Sequence, residues 1–312
     1  MENQSKVYTS VDLFKFFAAA LIVCIHTRPF YAHPTLDLYW TRVICQVAVP
    51  FFFCFSSYIF FKRGKSIKSY IKRMLSLYLV WFIIEIPFIY LRFFHHQPIL
   101  PATKTFIIDL LFHNTFFASW FITASWQAML IVWLLAKRSE TVTYLTGLAF
   151  FGLFTYMVGG GNLLFLNDAL KLPSFVQAVP YVTLGYFMAK HEGRPIKNKT
   201  GLLLLLLFLI IAVLEVRFFL PSATIGILPL TFILVLLLIN NNFMENTPFV
   251  GFCRKSSILI YLLHGVIKHI LVMVTEVGYG PTMFMVTWTI SVLFAYIIIK
   301  GSGKFSLLRK LY

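Results

Sequence analysis

Long apolar segments recur along this chain of 312 residues, and they constrain its fold more than any other feature. A helix needs roughly 20 predominantly apolar residues to cross a bilayer. Ten segments approach this length, at 11–28, 43–61, 74–91, 116–136, 142–158, 175–189, 201–219, 223–239, 256–274 and 282–299. A shorter apolar segment, 104–115, is expected to lie at the membrane interface or to re-enter. The pattern predicts an all-α membrane protein, a polytopic bundle of about ten transmembrane helices.

The composition agrees with a membrane-spanning chain. Hydrophobic residues make up 59% of the sequence and charged residues only 12%, which is more apolar surface than a soluble core needs. The formal net charge of +16 does not indicate nucleic acid, because basic residues beside hydrophobic spans orient the chain and contact anionic lipid. Four cysteines, Cys24, Cys45, Cys54 and Cys253, show no metal-ligand spacing. We therefore expect buried thiols, no metal site and a single membrane domain over residues 1–312.

The basic residues are distributed unequally between alternate loops. One set of loops, together with the termini, holds 19 Lys and Arg residues, and the other set holds 6. Cytoplasmic loops carry the excess of Lys and Arg in membrane proteins. The asymmetry predicts that both termini are cytoplasmic. This agrees with an even number of spans, which requires the two termini to lie on the same side.

The first apolar segment carries three ionisable residues, Asp12, Lys15 and His26. Such groups are costly within a spanning helix and therefore mark candidate functional positions. Lys15 and His26 are about three helical turns apart, so both project from one face, about 16 Å apart along the axis. Asp12 precedes Lys15 at a spacing where opposite charges pair. The alternatives are a charge pair at the membrane surface and an interfacial histidine bonded to water or to a backbone carbonyl.

Other polar residues lie within later predicted spans. Glu85 must be protonated, paired or beside a water-filled cavity, so it is either a second acid/base group or the partner of a buried cation. Tyr261, His264 and Lys268 share one helical face, which is either part of a site or a polar seam satisfied between helices. We expect His269, one residue further on, to lie at the interface.

A cytoplasmic loop from Lys62 to Arg73 carries six basic residues. These charges are sufficient as a topology signal. They also suit the attraction of a polyanionic ligand.

The pairing of Lys15 with His26, and the local sequence Asp12-Leu-Phe-Lys15-Phe-Phe-Ala-Ala-Ala, resemble the acyltransferase 3 family. This family comprises integral-membrane O-acyltransferases that modify bacterial cell-surface sugars, and its basic residue at this place is most often Arg. The sequence is most similar to a branch that includes the membrane half of vancomycin-resistance serine racemases.

The resemblance covers nearly the whole chain. Further matching positions are Arg42, Val49-Pro50-Phe51-Phe52-Phe53, Ser119-Trp120-Phe121, Gly185 and the motif Ser256…Tyr261-Leu-Leu-His264. Pro50 is expected to kink its helix. At the start of the third span the family often has two arginines three residues apart; Arg73 fits the first place, and Ser76 occupies the second.

The resemblance implies an O-acyltransferase of the bacterial cytoplasmic membrane. Its donor would be a cytoplasmic acyl-coenzyme A, acetyl-CoA, and its acceptor a hydroxyl of a cell-surface glycan or lipid-linked sugar. His26 would be the base, and Tyr261 and His264 would shape the site. The residues that would hold the donor are Lys15, Arg73, Lys72 and Lys68.

The same resemblance leaves a function of another class open. The serine-racemase branch implies a membrane domain that transports a small amino acid such as serine. Lys15, His26, Glu85 and Lys268 would then form a substrate or proton path. Several intramembrane ionisable groups argue against a purely structural membrane anchor.

Overall fold

The computed structural model describes residues 7–95, 97–161, 173–191 and 196–312, and the regular structure within these ranges is entirely helical. The α-helices described are α1 (Thr9–Thr27), α2 (Pro34–Tyr39), α3 (Ala48–Lys62), α4 (Ile67–Ile84), α5 (Ile86–Phe93), α6 (Ile99–Phe112), α7 (Ser119–Ala136), α8 (Glu140–Val158), α9 (Ser174–Lys190), α10 (Asn198–Phe218), α11 (Ile227–Asn240), α12 (Pro248–Val274) and α13 (Pro281–Gly301). A short 3-10 helix, Ser306–Leu311, follows α13. The prediction of an all-α membrane protein is confirmed.

Seven helical segments in the described part of the chain are long and apolar enough to cross a membrane, and an eighth results if α4 and α5 count as one bent span. One of the seven is the continuous run Pro34–Lys62, which contains α2 and α3. The predicted spans at 175–189 and 223–239 correspond to the shorter helices α9 and α11, of 17 and 14 residues. The protein therefore passes the membrane several times, and the figure of about ten spans stays a prediction.

The helix α1 lies at the centre of the bundle. It packs against α3, α11, α12 and α13, while α9 packs against α3, α7 and α8. Ala18 and Ala19, in the middle of α1, are completely buried. Their small side chains allow the neighbouring helices to approach closely. All four cysteines are buried free thiols.

The second span is irregular just before Pro50. The proline has no N–H to donate to the carbonyl of Gln46, and its ring clashes with that carbonyl. The chain is π-helical over Trp40–Ile44 and 3-10 helical over Cys45–Val47, and it becomes regular at Ala48. The kink expected at Pro50 is thus a distorted segment on its N-terminal side.

The predicted third span, 74–91, is not one straight helix. α4 ends at Ile84, α5 begins at Ile86, and their axes differ by 73°. Pro87 stands in the first turn of α5, where its missing N–H is not required. The break places Glu85 at a corner rather than within a continuous span.

The predicted eighth span, 223–239, begins late because Glu215 binds the residues before α11. This buried side chain, near the end of α10, accepts hydrogen bonds from the backbone N–H groups of Thr224, Ile225 and Gly226 at 3.1, 2.7 and 2.6 Å. The carboxylate thereby satisfies backbone donors outside the helix that follows. This role of Glu215 was not predicted from the sequence.

The helices α3 and α9 come very close at Gly185. A Cβ atom added to Gly185 would lie 2.2 Å from the carbonyl oxygen of Cys54 and 2.7 Å from the Cβ atom of Ser57. Nearby, the Ser57 hydroxyl donates to the carbonyl oxygen of Val182 at 2.6 Å. The absence of a side chain at Gly185 lets the two backbones contact directly.

We expect Gly185→Ala to lower the melting temperature of the purified protein in detergent. The added methyl group meets backbone atoms of α3, and overpacking of this kind costs about 1–3 kcal/mol. Gly152→Ala in α8 is the matched control, because no atom lies within 4 Å of its added Cβ and alanine favours a helix. Equal melting temperatures of the two variants would show that the close approach is unimportant.

Candidate functional site

The packing of α1 against α12 brings two histidines together. His26 lies in the last turn of α1 and His264 in the second half of α12. Their ring centroids are 5.0 Å apart, and the ring planes are inclined by 36°. His264 is buried, whereas the His26 side chain is exposed. The pair combines an accessible imidazole with one held inside the protein.

The backbone of Tyr261 fixes the protonation pattern of His264. Nδ1 of His264 lies 2.5 Å from the carbonyl oxygen of Tyr261. Since a carbonyl oxygen only accepts hydrogen bonds, Nδ1 carries the proton and Nε2 of the neutral ring is left as an acceptor. The Tyr261 hydroxyl donates to the carbonyl oxygen of Ala118 at 3.2 Å, which ties α12 to the residues before α7.

A cavity of about 590 Å³, which we call the histidine cavity, opens beside His26 and His264. Its other polar lining residues are Asn114, Lys268, His269, Thr275, Glu276 and Tyr279. Clefts of this size, lined by apolar surface and a few polar groups, are typical ligand sites. The sequence placed His264 and Lys268 on one helical face, and both line this cavity. His269, expected at the interface, also lines the cavity, and its ring packs against Phe88 and Phe117.

Residues 113–118, between α6 and α7, form one wall of the histidine cavity. The Ser119 hydroxyl accepts hydrogen bonds from the N–H groups of Thr115 and Phe116 at 2.8 and 3.2 Å, and it donates to the Asn114 side chain at 3.0 Å. Ala118 has a φ of 64°, a left-handed conformation that suits an abrupt start of α7. The predicted span at 116–136 therefore begins at Ser119.

Glu85 supports the same wall. Its side chain is completely buried, and Oε2 accepts a hydrogen bond from the N–H of Phe117 at 3.0 Å. Phe117 in turn packs against α12 at Gly265, where an added Cβ would lie 2.6 Å from the Cβ of Phe117. Among the described residues no cation pairs with Glu85. Its hydrogen-bond partner is instead the backbone N–H of Phe117.

The opposite end of α1 carries the predicted charge pair. Nζ of Lys15 lies 2.9 Å from Oδ1 of Asp12. Oδ2 of Asp12 also accepts from Nε of Arg254 at 2.7 Å, so one buried carboxylate binds two cations. Arg254 was not predicted from the sequence, because this contact joins helices that are distant along the chain.

Part of the basic segment from Lys62 to Arg73 adds positive charge near Lys15. This segment was predicted as one loop, but the structure divides it between the end of α3, a short connection and the first turns of α4. Arg73 is close enough to Lys15 to repel it electrostatically. The pKa of Lys65 is lowered, first by loss of solvent around its ammonium group and then by the charges of Arg63, Arg73 and Lys15. The surroundings of Lys15 are therefore strongly positive.

Lys68 and Lys72 lie in a different place. They line a groove along α4 together with Lys310 and apolar residues of that helix. Successive helical residues differ by about 100° in direction, so Lys72 and Arg73 face different neighbours. The structure brings Arg73 toward Lys15 and leaves Lys68 and Lys72 apart from it.

The Lys15 end and the His26 end of α1 do not share a cavity. Ala19 and Ile22 lie between them on the same face, and both are buried. Arg42, the remaining candidate, lines a second cavity with Arg28 and Asp37 at the His26 end. The ionisable residues of α1 and those that lie close to them therefore form two polar regions, one at each end of the helix.

These observations define a class: a multi-pass helical membrane protein with a pair of histidines beside a cavity. The chain belongs to the acyltransferase 3 family: the family model, described as an acyltransferase domain, matches residues 8–299. The chain is therefore a multi-pass membrane protein of this family.

Curated relatives from enterococci match parts of the chain. An amino-acid racemase of Enterococcus faecalis is 32% identical over 142 residues, which are 44% of this chain and 20% of the relative. A second amino-acid racemase of the same organism is 32% identical over 158 residues, 46% of this chain and 22% of the relative. A serine/alanine racemase of Enterococcus gallinarum is 36% identical over 87 residues, 25% of this chain and 12% of the relative. The chain thus spans about a fifth of the length of these relatives or less. No solved structure matches it significantly.

Proposed function

We propose that this protein transfers an acetyl group from cytoplasmic acetyl-CoA to a hydroxyl of a cell-surface glycan or a lipid-linked sugar in the bacterial cytoplasmic membrane. The observation that carries this proposal is the pair of imidazoles, His26 and His264, 5.0 Å apart at one cavity in a chain of the acyltransferase 3 family.

His26 acts as the general base in this proposal. Its exposed imidazole takes the proton of the acceptor hydroxyl, whose oxygen attacks the carbonyl carbon of the thioester. The carbon–sulfur bond breaks, and the coenzyme A sulfur leaves with the proton. The Lys268 ammonium group, which lines the same cavity, stabilises the negative charge that develops on the carbonyl oxygen.

The phosphates of the donor bind at the other end of α1. Lys15, Arg254 and Arg73 supply positive charge there, and Asp12 neutralises only part of it. Lysine lacks the planar fork of the more frequent arginine but keeps the charge. Because Ala19 and Ile22 close the space between the two ends, the helices around α1 have to separate to admit the pantetheine arm.

We expect Arg73→Gln to raise the apparent KM for acetyl-CoA about two- to fivefold, which is the scale of one exposed ion pair. The increase should be larger at low salt, because salt screens exposed charges. Lys72→Gln is the matched control, since Lys72 lies on the other face of α4 and should change the constant less. Steady-state kinetics with acetyl-CoA at two salt concentrations measure both effects. An unchanged KM for Arg73→Gln would show that the basic segment from Lys62 to Arg73 orients the protein in the membrane but does not bind the donor.

A second candidate function is transport of a small amino acid such as serine. This candidate is favoured by the relatives that match parts of the chain, because they are an amino-acid racemase and a serine/alanine racemase. In this case Lys15, His26, Glu85 and Lys268 contribute to a substrate or proton path.

A thermal-shift assay with the purified protein separates the two candidates. A ligand that binds only the folded state stabilises it by about 2.7 kcal/mol at a hundred times its dissociation constant. We expect acetyl-CoA to raise the melting temperature and free serine to leave it unchanged. The reverse result would reject the acyltransferase proposal in favour of transport.

A further inference from the structure

A second cavity lies beside the histidine cavity, at the end of α1 that carries His26. It has a volume of about 630 Å³, and we call it the arginine cavity because Arg28 and Arg42 both line it. Its other polar side chains include Asp37 and Gln46. The chain leaves the first span here, since α1 ends at Thr27, so the cavity lies where a membrane surface is expected.

One of the two arginines is already paired, and the other is not. Oδ2 of the buried Asp37 accepts from Nε and Nη2 of Arg28 at 2.9 and 2.5 Å. Within the described part of the chain, no hydrogen bond or ion pair engages the guanidinium of Arg42, which is exposed. The two arginines and one aspartate give the cavity a net charge of +1, and the donors of Arg42 remain available.

The arginine cavity and the histidine cavity share a wall. The Arg28 guanidinium lies over the Tyr31 ring at 4.8 Å and near the Tyr279 ring at 5.9 Å from the centroid. Tyr279 lines the histidine cavity, whereas Tyr31 lines the arginine cavity. Consecutive residues of α1 also divide between the two, because Ile25 lines the arginine cavity and His26 the histidine cavity.

We propose that the arginine cavity binds a phosphate group of the acceptor, with Arg42 as the residue that contacts it. A planar guanidinium matches the oxygens of a phosphate, and the net positive charge attracts an anion. A sugar attached to that phosphate reaches across the shared wall, so that its hydroxyl meets His26. This inference rests on the proposed function and narrows its acceptor to a lipid-linked sugar, because such a molecule carries phosphate between sugar and lipid, at the membrane surface.

Calorimetric titration of the purified full-length protein, in detergent and at low salt, tests the proposal. The probes are N-acetylglucosamine 1-phosphate, N-acetylglucosamine and glucuronic acid. We expect the wild type to bind the phosphorylated sugar at least about tenfold more tightly than the other two, the scale of one hydrogen bond to a charged group. Arg42→Gln should lose this preference, and Arg42→Lys should retain part of it, because lysine keeps the charge without the fork.

Lys104→Gln is the matched control for the removal of one positive charge. Lys104 is an exposed residue of α6 that lines neither cavity, so this variant should bind the phosphorylated sugar as the wild type does. Undiminished binding by Arg42→Gln, or equally tight binding of glucuronic acid by the wild type, would overturn the proposal. Stabilisation by acetyl-CoA, measured on the same preparations, reports separately on the donor, so a failure of the phosphate site is distinguishable from a failure of the proposed function.

Discussion

Replacement of His26 by glutamine should reduce acyl transfer about 10²- to 10⁴-fold, the contribution of a positioned general base. Glutamine keeps the polarity of the position but cannot take a proton from a hydroxyl. Because the His26 side chain is exposed to the histidine cavity, the substitution leaves helix packing and membrane insertion intact. Acetylation of the cell-surface glycan in complemented knockout cells, with protein amounts matched by blot, measures the effect.

His33→Gln provides the matched control for this experiment. His33 is an exposed histidine just beyond the same end of α1, and it lines neither the histidine cavity nor the arginine cavity. We expect this variant to retain wild-type acetylation. If His26→Gln also retained it, His26 would not be the base, and the role would pass to His264 or Glu85.

Replacement of His264 by alanine should lower kcat by up to about 10²-fold, because a displacement of about 1 Å of a catalytic group can cost that much in rate. His264 packs against the ring of His26, and the carbonyl of Tyr261 determines which of its nitrogens is free. Since the two histidines act at one site, the double variant with His26→Gln should lose little more than His26→Gln alone. Steady-state kinetics of the two single variants and the double variant test this non-additivity.

Tyr261→Phe separates the backbone contact of Tyr261 with His264 from the hydrogen bond of its hydroxyl. The contact that fixes His264 comes from the backbone of Tyr261, so phenylalanine preserves it and removes only the hydroxyl bond to Ala118. We expect a much smaller loss of kcat than in His264→Ala. The melting temperature should fall only slightly, because one hydrogen bond contributes about 0.5–1.5 kcal/mol. A loss in Tyr261→Phe as large as in His264→Ala would contradict the role assigned to the backbone contact.

Local sequence patterns were sufficient to predict the helices and the contacts within one helix. Long apolar segments indicated where helices lie. The three-residue spacing of Asp12 and Lys15 predicted their ion pair, which the structure confirms. The spacing of His264 and Lys268 likewise predicted that they share a face. Such contacts depend on helical geometry alone, which is the same in every helix.

Contacts between helices could not be read from the sequence. The sequence placed His26 and Lys15 on one face but did not show that packing would pair His26 with His264 and close the space between His26 and Lys15. Arg254 was missed for the same reason, because its partner Asp12 lies on another helix. Tertiary packing selects these partners, and no spacing along the chain encodes them.

Breaks in the helices were also hidden from the sequence. Apolar windows show that a segment suits the membrane, but they do not show where its helix bends or ends. Buried carboxylates explain two such places: Glu85 binds the backbone of Phe117 at the corner between α4 and α5, and Glu215 binds the residues before α11. A carboxylate within an apolar window marks a candidate position, and the structure supplies its partner.

The most direct test of the proposed transfer of an acetyl group through His26 uses proteoliposomes. They contain the purified protein and an extract of lipid-linked sugars, and radiolabelled acetyl-CoA is supplied on the side of the termini. We predict that label appears in the sugar fraction together with an equal amount of free coenzyme A thiol, and that His26→Gln produces neither. Parallel vesicles receive labelled serine instead. Accumulation of this serine inside them, without transfer of acetyl label by the wild type, would contradict the proposal and identify a transporter.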